Sequence, residues 1–209
     1  MGYLDTLNKE QKVAVLSVDG PLLILAGAGS GKTRVIVHRI AYLIDSAGVD
    51  PWNILAITFT NKAAEEMRKR VDTLVGQGAD SIWVSTFHSM CVRILRRHID
   101  MIGFDTNFTI YDADDSKTVM KDIMKRQSID TKTVSVRTAL AVISNAKDSL
   151  IGPAQFESES RGDYIYEIIS RLYREYEETL RRANALDFDD LICKTVELFD
   201  QCPQVLDNY

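Results

Sequence analysis

The stretch Pro21-Leu22-Leu23-Ile24-Leu25-Ala26-Gly27-Ala28-Gly29-Ser30-Gly31-Lys32-Thr33 runs from an unbroken apolar segment into a glycine-rich turn that ends in a lysine and a threonine. The apolar part, residues 21–26, predicts a buried strand. Ile36, Ile40, Leu43 and Ile44 behind the turn mark one stripe of a helix. A glycine-rich turn between strand and helix lets successive backbone N–H groups curl inward as an anion nest. The helix adds the positive end of its dipole. The spacing is that of a phosphate loop, with Ala26 where the pattern usually has its first glycine. On this reading Ala26, Gly27, Ala28, Gly29, Ser30 and Gly31 cradle the phosphates of a nucleoside triphosphate. Lys32 brings a cation to the β- and γ-phosphates and Thr33 an oxygen ligand for Mg²⁺. Lys32 and Thr33 are therefore the candidate catalytic residues.

Working outward, Ile54 to Phe59 and Ile82 to Ser85 predict a second and a third strand. Met67, Val71, Leu74 and Val75 mark a helix between them, ended near Gly76 and Gly78, and Cys91, Ile94 and Leu95 mark another beyond. Strand–helix alternation predicts an α/β fold, a parallel sheet with helices on both faces. Ligands in such sheets bind beyond the carboxyl ends of the strands. Two polar–aromatic clusters fall there: Thr58-Phe59-Thr60-Asn61-Lys62 and Ser85-Thr86-Phe87-His88-Ser89. Each offers groups for phosphate oxygens and a ring on which a base could stack. The competing reading makes Phe59 and Phe87 core residues and the polar neighbours helix caps. Upstream of the loop, Gln11 carries an amide able to read the N6 and N7 edge of adenine, although a surface glutamine is more often simply solvated.

The second half of the chain changes character. Phe108 to Tyr111 predicts one short strand, and Asp112, with Asp115 three residues on, a helix N-terminus. From there to about Phe199 the patterns Val119/Ile123, Leu140/Ile143, Ile168/Leu172/Tyr176 and Leu191/Val196/Phe199 are helical, punctuated at Gly152-Pro153 and Arg161-Gly162. A helical block within an α/β chain predicts an inserted subdomain.

The 209 residues are 45% hydrophobic and 26% charged, ordinary for globular domains. No apolar stretch is long enough to span a bilayer. The N-terminus has neither a secretory pattern nor, beyond Gly2 and Thr6, one for acylation. Cys91, Cys193 and Cys202 form no CxxC pair and do not cluster with His38, His88 and His98, so neither zinc nor disulfides are expected, and a cytoplasmic location fits. The net charge of −5 is not that of a small basic nucleic-acid binder. It is uneven, however: residues 1–105 carry 12 Lys and Arg against 11 Asp and Glu, and residues 106–209 carry 13 against 19. Any contact to nucleic acid would therefore sit on local features of the first half.

Taken in order, Leu7-Asn8-x-x-Gln11, Ala26 to Arg34, Ile57 to Ala64, Val84 to Ser89 and Leu186-Asp187-Phe188-Asp189-Asp190-Leu191 resemble the motifs of the PcrA/UvrD superfamily 1 ATP-dependent DNA helicases. The resemblance covers essentially the whole chain, and Ala56 to Ala64 and Ser85 to Arg97 lean to the PcrA side. It implies a RecA-like domain 1A over 1–105, a helical insertion 1B over 106–186 and a return to 1A over 187–209. It implies ATP and Mg²⁺ as cofactors, with Gln11 on adenine, Lys32 and Thr33 on phosphate and metal, and Arg34 near the nucleotide. Thr58, Phe59, Asn61, Lys62, Thr86, Phe87 and His88 would line a single-stranded-DNA track near strand–duplex junctions. The activity implied is 3′ to 5′ translocation and unwinding in repair or replication; membranes are not expected as partners. The family's Asp-Glu-x-x-Asp string is not in the sequence, and Asp189 and Asp190 read as acidic residues opening a helix. The expectation is of an N-terminal fragment, inactive by itself. A nucleotide- or DNA-sensing module without turnover and a small-molecule P-loop enzyme are the rival readings.

Overall fold

Two of the expected strands lie side by side. β1 (Leu55–Thr58) and β2 (Trp83–Thr86) pair in parallel, Leu55 opposite Trp83 and Thr58 opposite Thr86. They belong to a computed structural model that describes residues 2–76 and 79–209; Gly78, expected to help end a helix, lies outside the described residues. The chain divides into two compact units, Met1–Phe87 and His88–Tyr209.

In the first unit α1 (Lys9–Leu16) is followed, after the phosphate loop, by α2 (Lys32–Asp45), and α3 (Asn61–Val75) connects β1 to β2. Val37 and Ile40 of α2, Ala64, Met67 and Val71 of α3, and Ala56 and Val84 of the strands form one core. Because alternate strand residues point to opposite faces, Ala56 and Val84 mark the face that these helices cover, while Leu55, one residue earlier, is exposed. Thr60 caps α3 by accepting from the Ala63 N–H. Gly76, with φ of +72°, closes the same helix.

Two expectations need correcting. Residues 21–26 form no strand: they pair with no neighbour, and Leu23 and Leu25 are 82% and 87% exposed. An apolar run becomes a buried strand only when strands flank it, and among the described residues this sheet has β1 and β2 alone. The fold is therefore mixed α/β with a small parallel sheet. The stripe on α2 is also shifted: Ile36 is exposed, while Val35, Val37, Ile40 and Ala41 are buried.

β2 runs straight into α4 (Phe87–His98), whose first residue belongs to the first unit and whose remainder opens the second. The second unit continues with β3 (Thr109–Ile110), α5 (Ala113–Arg126), α6 (Val136–Asp148), α7 (Pro153–Glu159), α8 (Tyr164–Arg182), β4 (Ala185–Leu186), α9 (Phe188–Gln201) and α10 (Pro203–Asp207). No strand is drawn from residues 113–182. Met120, Ile123, Ile143, Ile169, Leu172 and Tyr176 are at the centre of its core. The Asp112 expectation is met: its Oδ1 accepts from the N–H groups of Asp114 and Asp115, and Asp115 Oδ2 accepts from the Asp112 N–H. The two compact units divide at 87/88. Ile94, Leu95 and Ile99 are buried, and the turn Ile99–Ile102 packs on α9, so α4 joins the helical unit.

The helical block is bracketed by a crossing of β3 and β4, which pair in parallel with Thr109 opposite Ala185. Asn184 stitches that crossing. It is left-handed, with φ of +48°, and its side chain accepts from the Asp105 N–H at 3.0 Å and donates to Asn107 Oδ1 at 3.1 Å. Asn184→Ala is expected to cost about 2–3 kcal/mol, from lost hydrogen bonds and a left-handed residue that alanine tolerates poorly. Asn184→Gly should recover about 1 kcal/mol of that. Urea denaturation of the three proteins checks the order; alanine as stable as glycine there would show that the left-handed backbone carries no strain.

Candidate nucleotide and nucleic-acid site

The glycine-rich loop read as a phosphate loop is shaped by two glycines. Gly29 and Gly31 have φ of +77° and +87°, a region closed to most side chains. A β-carbon on Gly31 would also lie 2.8 Å from Nε2 of Gln11. Gly31 precedes α2 and supplies no side-chain cap, so the first-turn N–H groups are left for a ligand. Ser30 folds its hydroxyl onto the Gly27 carbonyl at 2.7 Å. The Lys32 ammonium donates to the carbonyls of Ala26 and Gly27 at 2.9 and 2.7 Å, which holds it against the loop. Thr33, in the first turn, is exposed, as are Ala26 and Ala28.

Gln11, expected only as a residue upstream of the loop, lies against it. Its Nε2 donates to the Ser30 carbonyl at 3.0 Å. Its Oε1 accepts from the Asn8 N–H, and Asn8 Oδ1 accepts from the Gln11 N–H, a capping box that fixes the start of α1. Arg34 donates to the Thr6 carbonyl at 2.8 Å. Arg39, which sequence reasoning passed over, ties α2 to the carbonyls of Ala14 and Ser17.

At the carboxyl ends of β1 and β2 the core reading of the aromatics fails for Phe59, which is 91% exposed. Phe87 is 45% exposed, and the two rings stand 6.3 Å apart, tilted by 52°. Asn61 and Lys62, at the start of α3, are exposed; Thr58 is half-buried; Thr86 is buried, with its hydroxyl 3.5 Å from Asn61 Oδ1. Six of the seven expected track residues therefore gather at one end of the two strands. The seventh, His88, belongs to the second unit, where its ring meets that of Phe188 edge-on at 5.9 Å.

Phe188 opens α9 between Asp187 and Asp189, and Asp189 and Asp190 stand in the first turn of that helix, as the sequence reading placed them. Asp187 and Asp190 are buried, and both accept from the buried Lys147 ammonium, at 2.9 and 2.7 Å. Glu177 Oε1 lies 2.7 Å from the same nitrogen, as an ion contact without hydrogen-bond alignment. Burial would lower the Lys147 pKa, but the carboxylates of Asp190, Glu177 and Asp187 outweigh it and hold the group well above the ordinary lysine range. Burial likewise pushes Asp190 up. Lys147 opposes the rise and Glu177 and Asp187 reinforce it, to about 7. The two shifts agree once the charges are counted, because one ammonium faces three carboxylates. The available signal was positional: Lys147 continues the buried stripe Ala139, Ile143, Ala146 of α6.

Residues 7–209 match the family described as the UvrD/REP helicase N-terminal domain. The chain belongs to that family. It is 54% identical over 206 residues to the ATP-dependent DNA helicase PcrA of Bacillus subtilis (strain 168), covering 99% of this chain and 28% of that protein. The same figures hold for the PcrA helicase of Staphylococcus aureus (strain Mu50 / ATCC 700699). Against that of Staphylococcus epidermidis the identity is 53% over 203 residues. The chain thus spans a little over a quarter of the length of these relatives.

Asp190 gives a pH dependence of defined sign. Its folded pKa of about 7 lies above the ordinary 3.8, so the folded chain holds the proton more tightly than the unfolded one. The stabilisation is full below the unfolded value and lost as pH rises through about 7. The melting temperature should therefore be higher at about pH 6 than at about pH 8, and Asp190→Asn should flatten that difference. A wild-type melting temperature that rises between those two pH values would reverse the assignment.

Proposed function

We propose that this chain is the N-terminal, ATP- and single-stranded-DNA-binding part of an ATP-dependent DNA helicase that translocates 3′ to 5′ and unwinds strand–duplex junctions in repair or replication, in the cytoplasm. Residues 1–105 and 187–209 would contribute to a RecA-like motor domain and 106–186 to its helical insertion. Among the described residues no helix is long and apolar enough to cross a membrane. The observation that carries the reading is the exposed Phe59–Phe87 pair at the strand ends, on the same unit as the phosphate loop. The loop supports nucleotide use; the rings distinguish a nucleic-acid motor from a small-molecule P-loop enzyme. Two phenyl rings held in water are unfavourable unless something covers them. Unpaired bases, which offer a π-face whatever their sequence, are suitable partners.

At the loop, Lys32 would exchange the carbonyls of Ala26 and Gly27 for the β- and γ-phosphate oxygens of ATP. The uncapped N–H groups opening α2 would meet the remaining phosphate charge. Gln11 retains one amide N–H for adenine beside the bond that it gives Ser30, and Arg34 lies one residue beyond Thr33. For Mg²⁺ the donor set fits a metal that arrives with the nucleotide. The Thr33 hydroxyl is exposed at the first turn, and among the described residues no three His, Cys, Asp or Glu form a metal cluster. Held there, the metal would neutralise charge across the phosphates. Phosphoryl transfer to water also needs a carboxylate to orient the water and further positive charge on the phosphates. With no Asp-Glu-x-x-Asp string in its sequence, this chain alone is expected to bind nucleotide weakly and to turn it over negligibly.

Calorimetry should therefore detect weak ATP binding that Lys32→Ala abolishes, and steady-state assays no DNA-stimulated hydrolysis. Unchanged affinity in the variant would sink the phosphate-loop assignment. DNA-stimulated turnover that Lys32→Ala removes would show that other residues complete the site. For the rings, Phe59→Ala should weaken binding of a labelled oligothymidylate by about 1–3 kcal/mol while leaving the melting temperature unchanged. A lower melting temperature with intact DNA binding would return Phe59 to a structural role.

A further inference from the structure

α1 has little of its own to hold it in place. Its eight residues fall short of the roughly 12–15 that a helix needs to persist alone in water. Val15 is buried, but Val13 and Leu16 are exposed. Its last turn has no basic residue to meet the carbonyls that a helix leaves open there. α2 supplies what is missing. The half-buried Arg39 donates through Nη1 to the Ala14 carbonyl at 2.8 Å and to the Ser17 carbonyl. Arg34, earlier on α2, holds the Thr6 carbonyl ahead of α1.

What α1 carries to the loop is Gln11, and its amide is oriented. Oε1 accepts from the Asn8 N–H at 3.1 Å, and Nε2 donates to the Ser30 carbonyl at 3.0 Å. A solvated glutamine can turn its amide over and so match either purine, with oxygen toward the N6 amino group of adenine or nitrogen toward O6 of guanine. Here the turned amide would set oxygen against the Ser30 carbonyl and nitrogen against the Asn8 N–H. Fixed as it is, the amide keeps one lone pair for an amino group and one N–H for N7, which is the edge of adenine. Guanine would bring O6 against Oε1. The lock holds only while α1 stays beside Ser30, and the fit there is close: a β-carbon on Gly31 would lie 2.8 Å from Nε2.

We propose that Arg39 is a positioning residue for base selection: by holding the carboxyl-terminal end of α1 against α2, it keeps the Gln11 amide in the orientation that accepts adenine and rejects guanine. This rests on the nucleotide reading made above for the loop and Gln11. Arg39 acts through α1 and Gln11, not on the nucleotide.

The test measures displacement of a fluorescent, ribose-labelled ATP from the full chain, with Mg²⁺ present, by unlabelled ATP and by GTP. Affinities are taken per folded molecule, with foldedness from a cooperative melt. The wild-type chain should prefer ATP by about fivefold to a hundredfold, the range of one bidentate base contact. Gln11→Ala should remove that preference. Arg39→Met should bring it toward unity by weakening ATP, with GTP affinity, which depends on the phosphate loop, unchanged. The double variant should lose no more than Gln11→Ala alone. Arg39→Lys, which keeps a cation without the guanidinium fork, should fall between wild type and Arg39→Met. Should Arg39→Met fail to melt cooperatively, Arg39→Lys carries the test: a preference below the wild-type value supports the proposal, and an unchanged one overturns it. A merely structural Arg39 would lower the melting temperature and leave the ratio of ATP to GTP affinity as it was. That result, or losses that add, overturns the proposal. If Gln11→Ala removes the preference and Arg39→Met does not, the proposal fails and the nucleotide reading stands. If the wild-type chain shows no preference, or Gln11→Ala keeps it, the adenine reading of Gln11 fails and the proposal with it. If neither nucleotide displaces the label, the phosphate-loop reading itself fails.

Discussion

A buried ammonium must be surrounded by negative charge or it will not stay charged. Lys147 meets that requirement with carboxylates from three stretches of chain: Glu177 on α8, and Asp187 and Asp190 on either side of the first turn of α9. Each has to reach the same point within about hydrogen-bond distance. The last turn of α6, the middle of α8 and the start of α9 are therefore constrained together. Apolar packing in this unit is plentiful, from Met120 to Tyr176, but it is non-directional and tolerates small slides of one helix on another. The charge cluster does not. It also has a local consequence, since burial and two further carboxylates raise Asp190 while its own ion pair works to lower it.

The first unit is organised on the opposite principle, through backbone groups and little buried charge. Its phosphate loop is built from left-handed glycines, a helix start with no side-chain cap, and a lysine parked on two carbonyls. Those carbonyl bonds are modest in net worth when both partners can reach water. Exchanging them for a charge-assisted bond to phosphate is therefore favourable. Gln11 adds rigidity at the one place where the loop meets another element, by bonding Ser30 while bracing α1 through Asn8. A tight start to α1 and an exchangeable lysine are compatible because they lie on opposite sides of Gly31.

Legibility in the sequence followed the range of the interactions. β1, β2 and α3 were readable because apolar period and caps are local: Thr60 and Gly76 bracket α3, and Asp112 with Asp115 announces α5. The loop was readable for the same reason, its geometry being written in Gly29 and Gly31. Residues 21–26 misled because a buried strand is a property of its neighbours, and composition records only that Leu22 to Leu25 would suit one. Ile36 misled because the apolar stripe of α2 can be drawn through either Ile36 or Val37, and only the packing partner decides. Lys147 escaped because a lysine is read as solvated by default. Its position on the Ala139–Ile143–Ala146 stripe was visible, but the carboxylates that make burial tolerable are thirty to forty-three residues away.

The chain leaves two kinds of apolar surface in water, and they differ in kind. Leu23 and Leu25 are aliphatic, lie on a stretch outside any strand with no polar neighbours in sequence before Gly27, and are largely exposed. Such a stretch suits cover by another apolar surface. Phe59 and Phe87 are aromatic, follow two paired strands, and are interleaved with Thr58, Thr60, Asn61, Lys62 and Thr86. Beyond the paired β1 and β2 their backbone passes at once into α3 and α4. What remains unsatisfied there is only the ring face, within reach of hydroxyl, amide and ammonium groups suited to phosphate. An added strand would leave those polar groups unused, whereas on the proposed reading an unpaired nucleotide would engage both. The two exposures therefore differ in the chemistry that would cover them, an apolar surface for the leucines and, on the proposed reading, a ligand for the rings.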